Sequence, residues 1–188
     1  MEETQKESSI RNTNSFGDPV ELIDLLEIDK GNVAADFGCG PGYYTFALAD
    51  KVGEDGKVYA LDVLPEALES IESKIKSNGY GNIFTKRVNL EKEGGSNLGD
   101  ETMDWVVMKN VLFQNKDKKT ILGEARRVLR SGGKALIVEW NEKDSPMGPG
   151  KELRISPEEM KRIVSEENFS IEKEFNVGDF HYAIVVGK

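Results

Sequence analysis

Residues 33–50 read VAADFGCGPGYYTFALAD: a short apolar run ends in an acid, breaks at Gly38, Gly40 and Gly42, and then opens an amphipathic helix. A strand, a tight loop and a helix in that order surround nucleotide pockets. Glycine serves where the backbone must turn sharply and approach a ligand closely, and a helix that starts there directs free N–H groups at whatever lies above its first turn.

Dinucleotide-dependent dehydrogenases use a similar unit with the spacing G-x-G-x-x-G, in which the third glycine lets the helix pack closely and the helix N-terminus carries a pyrophosphate. From Gly38 this chain reads G-x-G-x-G, with Tyr43 where that third glycine would stand. Pro41 stiffens the loop and removes one donor, a poor choice for wrapping a phosphate in N–H bonds.

The string Asp36-Phe37-Gly38-Cys39-Gly40-Pro41-Gly42 instead resembles the first motif of class I S-adenosylmethionine (SAM) dependent methyltransferases, D/E-x-G-x-G-x-G. The resemblance implies a three-layer Rossmann-like α/β fold, with a mostly parallel seven-stranded sheet and an antiparallel C-terminal strand. It also implies S-adenosyl-L-methionine as methyl donor, S-adenosyl-L-homocysteine as product, and donor contacts at Asp36, Gly38, Cys39, Gly40, Gly42 and Tyr43. Three further segments follow in order. Lys57 to Asp62 is an apolar strand ending in an acid, and Asp62 at that place can accept both ribose hydroxyls, with Val63 beside it. Ile83 to Leu90 ends at Asn89, where the family more often has Asp; its side-chain carbonyl can accept from the adenine amine, with Leu90 next to it. Met103 to Lys109 is a strand that runs out toward the methionine part of the donor, with Lys109 and Asn110 as contacts. Phe113 and Gln114 stand where many relatives have a histidine or an Asn/Asp-Pro-Pro-aromatic motif, which argues against methylation of an adenine or glutamine amino group. Ala125 to Trp140, ARRVLRSGGKALIVEW, resembles a further family motif; a helix over 116–130 is expected to end in a cap at Ser131-Gly132-Gly133, with a strand over 133–139.

The remaining pattern agrees. Strands are expected near 33–37, 57–62, 82–87, 104–109 and 133–139 and helices near 42–51, 65–78 and 116–130, an alternation that makes a parallel sheet covered on both faces. A short amphipathic helix precedes them over 19–27. Ser156-Pro157-Glu158-Glu159 starts a last helix with a capping residue, and two strands joined at Gly178-Asp179 close the chain as a hairpin. The expected division is a polar segment over 1–17, mobile or a flap over the site, and a methyltransferase domain over 18–188.

Composition bounds the function. The chain has 188 residues, the size of one domain with a sound core, and a net charge of −9. That charge disfavours a nucleic-acid partner, the one basic stretch being Lys116, Lys118, Lys119, Arg126, Arg127 and Arg130. No apolar run reaches the roughly 18 residues of a membrane span, so a cytoplasmic location is the default. Cys39 is the only cysteine, which rules out an internal disulfide and disfavours a multi-thiol mechanism; no metal site is expected. A homodimer is an admissible assembly.

The acceptor is less determined. The segment Asn141 to Ile155, NEKDSPMGPGKELRI, leaves the fifth strand at the ligand edge, and is expected to act as a lid in which Met147 gives an apolar contact and Arg154 holds an acidic group of the substrate. Tyr44 and Phe113 complete the expected substrate contacts. No general base stands out: His181, the only histidine, lies in the last strand and reads as structural. Two rival readings are a nicotinamide-dependent oxidoreductase and a SAM-binding protein that does not turn over.

Overall fold

The computed structural model describes residues 17–188; the polar segment expected over 1–17 lies, but for Gly17, outside the described residues. The chain runs α1 (Pro19–Asp24), β1 (Val33–Phe37), α2 (Tyr43–Val52), β2 (Lys57–Asp62), α3 (Pro65–Asn78), β3 (Ile83–Arg87), β4 (Met103–Lys109), α4 (Lys118–Val128), β5 (Leu129–Trp140), α5 (Pro157–Glu166), β6 (Ser170–Val177) and β7 (His181–Gly187). The seven strands form one sheet in the order β3-β2-β1-β4-β5-β7-β6. Strands β1 to β5 are parallel to one another, whereas β7 runs antiparallel to both β5 and β6. This is the three-layer arrangement that the alternating pattern implied.

Successive strand residues point to opposite faces, and each face carries its own core. On one side Phe37, Leu61, Val106, Met108 and Ile137 pack against Ile121, Leu122 and Ala125 of α4 and Met160 and Val164 of α5. On the other, Ala34, Val58, Ala60, Trp105 and Leu136 pack against Leu22 and Ile23 of α1, Leu48 of α2 and Ile71 of α3. Strands buried on both faces read as continuous apolar runs, as β4 does.

Two boundaries differ from their sequence reading: α1 ends at Asp24 rather than near residue 27, and the junction of α4 with β5 is built differently. Helix α4 stops at Val128, and Leu129 is already extended at φ −66°, ψ 133°, so Gly132 and Gly133 lie inside β5 rather than at a helix cap. The pairing with β4 jumps from Met103↔Leu129 to Trp105↔Lys134, so residues 130–133 bulge outward. Gly132 supplies a positive φ of 75° for that bulge, and at Gly133 a Cβ would meet the Met103 carbonyl at 3.1 Å. The glycine pair is an insertion in a strand, which local spacing cannot tell from a cap. The Ser156 cap, by contrast, forms as its residues suggest, its hydroxyl accepting from the Glu159 N–H at 3.2 Å.

Candidate functional site

The carboxyl ends of β1, β2 and β4 open onto a cavity of about 520 Å³ at the point where strand order reverses, between β1 and β4. Its floor is the glycine loop. The N–H groups of Gly38 and Cys39 donate to the Leu61 carbonyl at 2.8 and 3.0 Å, and that of Gly42 to the Cys39 carbonyl at 3.0 Å. The Gly40 N–H donates to Asp62 Oδ2 at 2.9 Å. Four donors that could have wrapped a phosphate are therefore spent inside the protein. The start of α2 is also occupied: Asp36 is buried, accepts the Thr45 hydroxyl at 2.6 Å and takes the Thr45 backbone N–H as well. Burial pushes the Asp36 carboxyl up to about 7, the Thr45 hydroxyl bond opposing that shift. A loop with its donors turned inward suits a ligand with no phosphate at this place.

Glycine is required at two of these positions. Gly38 has φ +70° and a Cβ there would stand 2.7 Å from Val111 Cγ2; Gly42 has φ +90° and a Cβ there would stand 2.8 Å from Ile71 Cγ1. Lys74 of α3 adds a latch that the sequence did not disclose, its Nζ donating to the Pro41 carbonyl at 3.0 Å and lying 5.6 Å from the Phe46 ring centre. Both contacts depend on how α3 packs.

Of the expected donor contacts, Asp36, Gly38, Cys39, Gly40, Tyr43, Asp62, Val63, Asn89, Leu90, Lys109 and Asn110 all line the cavity, as does Tyr44 from the expected substrate contacts. Gly42 does not; it sits beneath, as the left-handed N-cap of α2. Asp62 is pinned by Gly40 and by the Leu64 N–H, 2.9 Å from Oδ1, which leaves one lone pair on each oxygen for a ligand. Asn89 Oδ1 accepts from the Glu91 N–H at 2.9 Å, so its carbonyl builds the turn and only its second lone pair is left for a ligand amine. Asn110 adopts φ +56°, donates its N–H to the Val138 carbonyl at 2.8 Å, and keeps its buried Oδ1 without a hydrogen-bond partner among the described residues. The Tyr44 hydroxyl is in the same condition, and burial raises its pKa, making it a weaker acid than a free phenol. Tyr43, Val63 and Leu64 form an exposed apolar rim, and Gln114, Asn115 and Ile121 complete the wall beyond β4.

The other expected substrate contacts are not brought to this cavity. Phe113 packs half-buried on the core with its N–H 3.3 Å from Glu139 Oε1, and Met147 stands out in solvent. Arg154 is committed to its own loop: its guanidinium donates to the carbonyls of Asn141 at 2.8 Å, Lys143 at 2.7 Å and Pro149 at 2.9 Å, and lies over the Trp140 ring at 5.5 Å. The structure thus turns Arg154 toward its own loop rather than toward the cavity, where the sequence reading has it hold an acidic group of the substrate. A loop rich in glycine and proline has carbonyls with no regular partner, and a guanidinium with five donors satisfies them.

A second cluster, which no local sequence pattern marks, lies at the ends of β4, β5 and β7. Lys109 Nζ lies 3.4 Å from His181 Nε2, a hydrogen bond whose direction follows the imidazole tautomer. Burial holds the Lys109 amine down at about 8 against the pull of Glu139, and holds His181 down at about 3, with the Lys109 and Arg154 charges acting the same way. Glu139, buried and accepting the Leu112 N–H at 2.8 Å, is pushed up by burial to about 7. Among the described residues no group of three or more His, Cys, Asp or Glu could hold a metal ion, and no helix is long and apolar enough to cross a membrane.

Comparison with known proteins agrees with this geometry. The methyltransferase domain family matches residues 28–182. A demethylmenaquinone methyltransferase of Bacillus pumilus is 34% identical over 122 residues, 65% of this chain and 51% of that one. The chain spans about half the length of the curated relatives it matches. Among solved structures, a SAM-dependent methyltransferase from Aquifex aeolicus superposes with a TM-score of 0.84 at 25% identity, covering 92% of this chain and 90% of that one. A type 11 methyltransferase, itself putative, from Sulfolobus solfataricus shares the fold, with a TM-score of 0.73 at 24% identity and 92% coverage of each chain.

Proposed function

The chain belongs to the methyltransferase domain family, and we propose that it binds S-adenosylmethionine in the cavity above the glycine loop and transfers its methyl group to a small-molecule acceptor. The observation that carries the donor is the loop itself, whose N–H groups are turned inward to Leu61, Cys39 and Asp62 and whose helix start is filled by Asp36. A pyrophosphate would find those donors taken, whereas a nucleoside needs hydroxyl acceptors and an apolar slot. Asp62 holds the ribose through its free lone pairs. Val63, Leu64 and Leu90 face the adenine, Asn89 meets its edge, and Asn110 Oδ1 accepts from the amino group of the methionine part. Residues 18–188 form the methyltransferase domain, and the location is cytoplasmic.

The reaction is an in-line displacement. The S–CH3 bond breaks with its electrons on sulfur, leaving a neutral thioether, and the acceptor atom forms the new bond. With so good a leaving group, alignment and exclusion of water supply most of the acceleration. The named matches on the quinone branch favour a ring acceptor of that general class.

Thermal unfolding with S-adenosylhomocysteine, with NAD and NADP as controls, tests the donor. A ligand at about 100 times its Kd adds roughly 2.7 kcal/mol, which raises the midpoint by about 5–10 °C for a domain of this size. A shift with a nicotinamide cofactor and none with S-adenosylhomocysteine would overturn the proposal. Binding without transfer of labelled methyl to any acceptor in a broad panel would leave a SAM-binding protein that does not turn over.

A further inference from the structure

The cluster beyond β4 shares only Lys109 with the donor motifs. Strand register assembles it: Lys109 pairs with Val138 at the end of β4, and Trp140 pairs with His181 across β5 and β7. Lys109 lines the cavity, and its hydrogen bond to His181 is the one its Nζ makes among the described residues. Glu139 on β5 supplies the facing negative charge, itself countered from α4 by Lys118. The Trp140 ring is centred 4.2 Å from the His181 ring and also carries Arg154 of the loop, 5.5 Å from its centre.

We propose that Lys109 takes the proton from a weakly acidic hydroxyl of the methyl acceptor and then holds the oxyanion in line with the sulfonium methyl, with His181 as its positioning residue. The inference rests on the donor reading above and deepens it. The neutral amine removes the hydroxyl proton and the O–H electrons stay on oxygen. That oxygen, or a carbon conjugated to it, forms the bond to the methyl as the S–CH3 pair withdraws to sulfur, and the ammonium returns its proton to water. The partly buried amine keeps a neutral fraction near neutral pH, as a base requires. His181 stays neutral beside it, so its ring nitrogen can fix the amine without adding a charge. An ammonium acceptor would bring a second cation against Lys109, a carboxylic acid is already ionised, and an aliphatic alcohol is too weak an acid for an amine.

The test uses 2-naphthol, whose ionised form has its own absorption band. It is titrated near neutral pH into protein saturated with S-adenosylhomocysteine, whose affinity is measured by calorimetry on the same samples. The naphtholate band is expected on the wild type and about tenfold weaker with Lys109→Met, one unit of the probe's acidity. Lys109→Gln serves if the methionine variant fails to fold. His181→Asn is expected to move the pH midpoint of the band while the circular dichroism is unchanged. The inference is overturned if the wild type binds S-adenosylhomocysteine but leaves the probe un-ionised, or if the band survives in the Lys109 variants. It is equally overturned if those variants lose S-adenosylhomocysteine affinity in step with the band, since Lys109 would then be a donor contact. A wild type that does not bind S-adenosylhomocysteine at all sinks the donor reading instead, and this inference with it.

Discussion

The cavity has two sides made of different materials. Below the donor, from β1 to β2, backbone meets backbone: Gly38, Cys39, Gly40 and Gly42 are held by Leu61, Cys39 and Asp62, and side chains matter there mainly by being absent or by accepting N–H bonds. Beyond β4, Lys109, Glu139, His181, Trp140 and Arg154 meet through their side chains, from positions up to 72 residues apart for the directly bonded pair. The first side has few tolerable alternatives, because its conformation excludes a Cβ. The second can be rebuilt by changing single side chains without disturbing the sheet, which is the freedom a family needs in order to change acceptors on one fold.

The contrast predicts the largest effect at Gly42. An alanine there must hold φ +90° and place its Cβ 2.8 Å from Ile71 and 2.9 Å from Phe46. Left-handed backbone and overpacking each cost about 1–2 kcal/mol, so Gly42→Ala is expected to destabilise by about 3 kcal/mol in urea unfolding and to abolish measurable S-adenosylhomocysteine binding. A neutral result would mean that the loop is not the rigid side. Asp62→Ala comes next. It strands the Gly40 and Leu64 N–H groups, at a cost of about 2 kcal/mol, and S-adenosylhomocysteine affinity should fall about tenfold or more in calorimetry. Equal affinity would remove Asp62 from the ribose.

These two sides also explain what the sequence could disclose. Residue types with forced conformations announce themselves locally, so the loop, the strand-end acid, the Ser156 cap and the closing hairpin were readable from neighbours a few positions apart. Gly132 and Gly133 were not, because a cap and a bulge ask the same freedom of glycine and only the jump in pairing with β4 separates them. Asn89 lines the cavity as its sequence reading has it, but that reading does not disclose that the same carbonyl also accepts from Glu91 in an Asx turn. Taken by itself, Lys109 reads as a donor contact and His181 as structural. Their pairing depends on β7 lying antiparallel against β5 with Trp140 opposite His181, and no local pattern carries that register.

Titration sharpens the comparison on the side-chain wall. Burial, then the Lys109 and Arg154 charges, lower His181 from 6.5 to about 3. The folded state therefore binds fewer protons than the unfolded chain between those values, and stability present above about pH 6.5 is lost as pH falls toward 3. Asp36 and Glu139, both raised to about 7 by burial, act in the opposite sense: what they contribute is full below their unfolded values of 3.8 and 4.5 and is lost as pH rises through about 7. Urea unfolding across this range should show His181→Asn losing an acid-side slope on the order of 2 kcal/mol between pH 6 and 4. Parallel curves for variant and wild type would mean that His181 titrates in the fold as it does in the unfolded chain, and that burial beside Lys109 does not hold it neutral.

The smallest effect is expected at Arg154, and it separates a loop clamp from a hand for the substrate. If the guanidinium serves only the carbonyls of Asn141, Lys143 and Pro149, Arg154→Met loosens residues 141–154 and changes little else. The methionine keeps much of the apolar stem against Trp140 and removes the donors. Because this loop is largely solvent-exposed, water takes over the freed carbonyls, and global stability should change by less than about 1 kcal/mol. Amide hydrogen exchange should then rise in this loop and stay level in the glycine loop, with S-adenosylhomocysteine affinity unchanged. A rise that spreads to His181 and Lys109 would show that the Trp140 contact couples the loop to the wall. A loss of methyl transfer to an identified acidic acceptor with no change in exchange would instead return Arg154 to the substrate, and the side-chain wall would then extend across the loop.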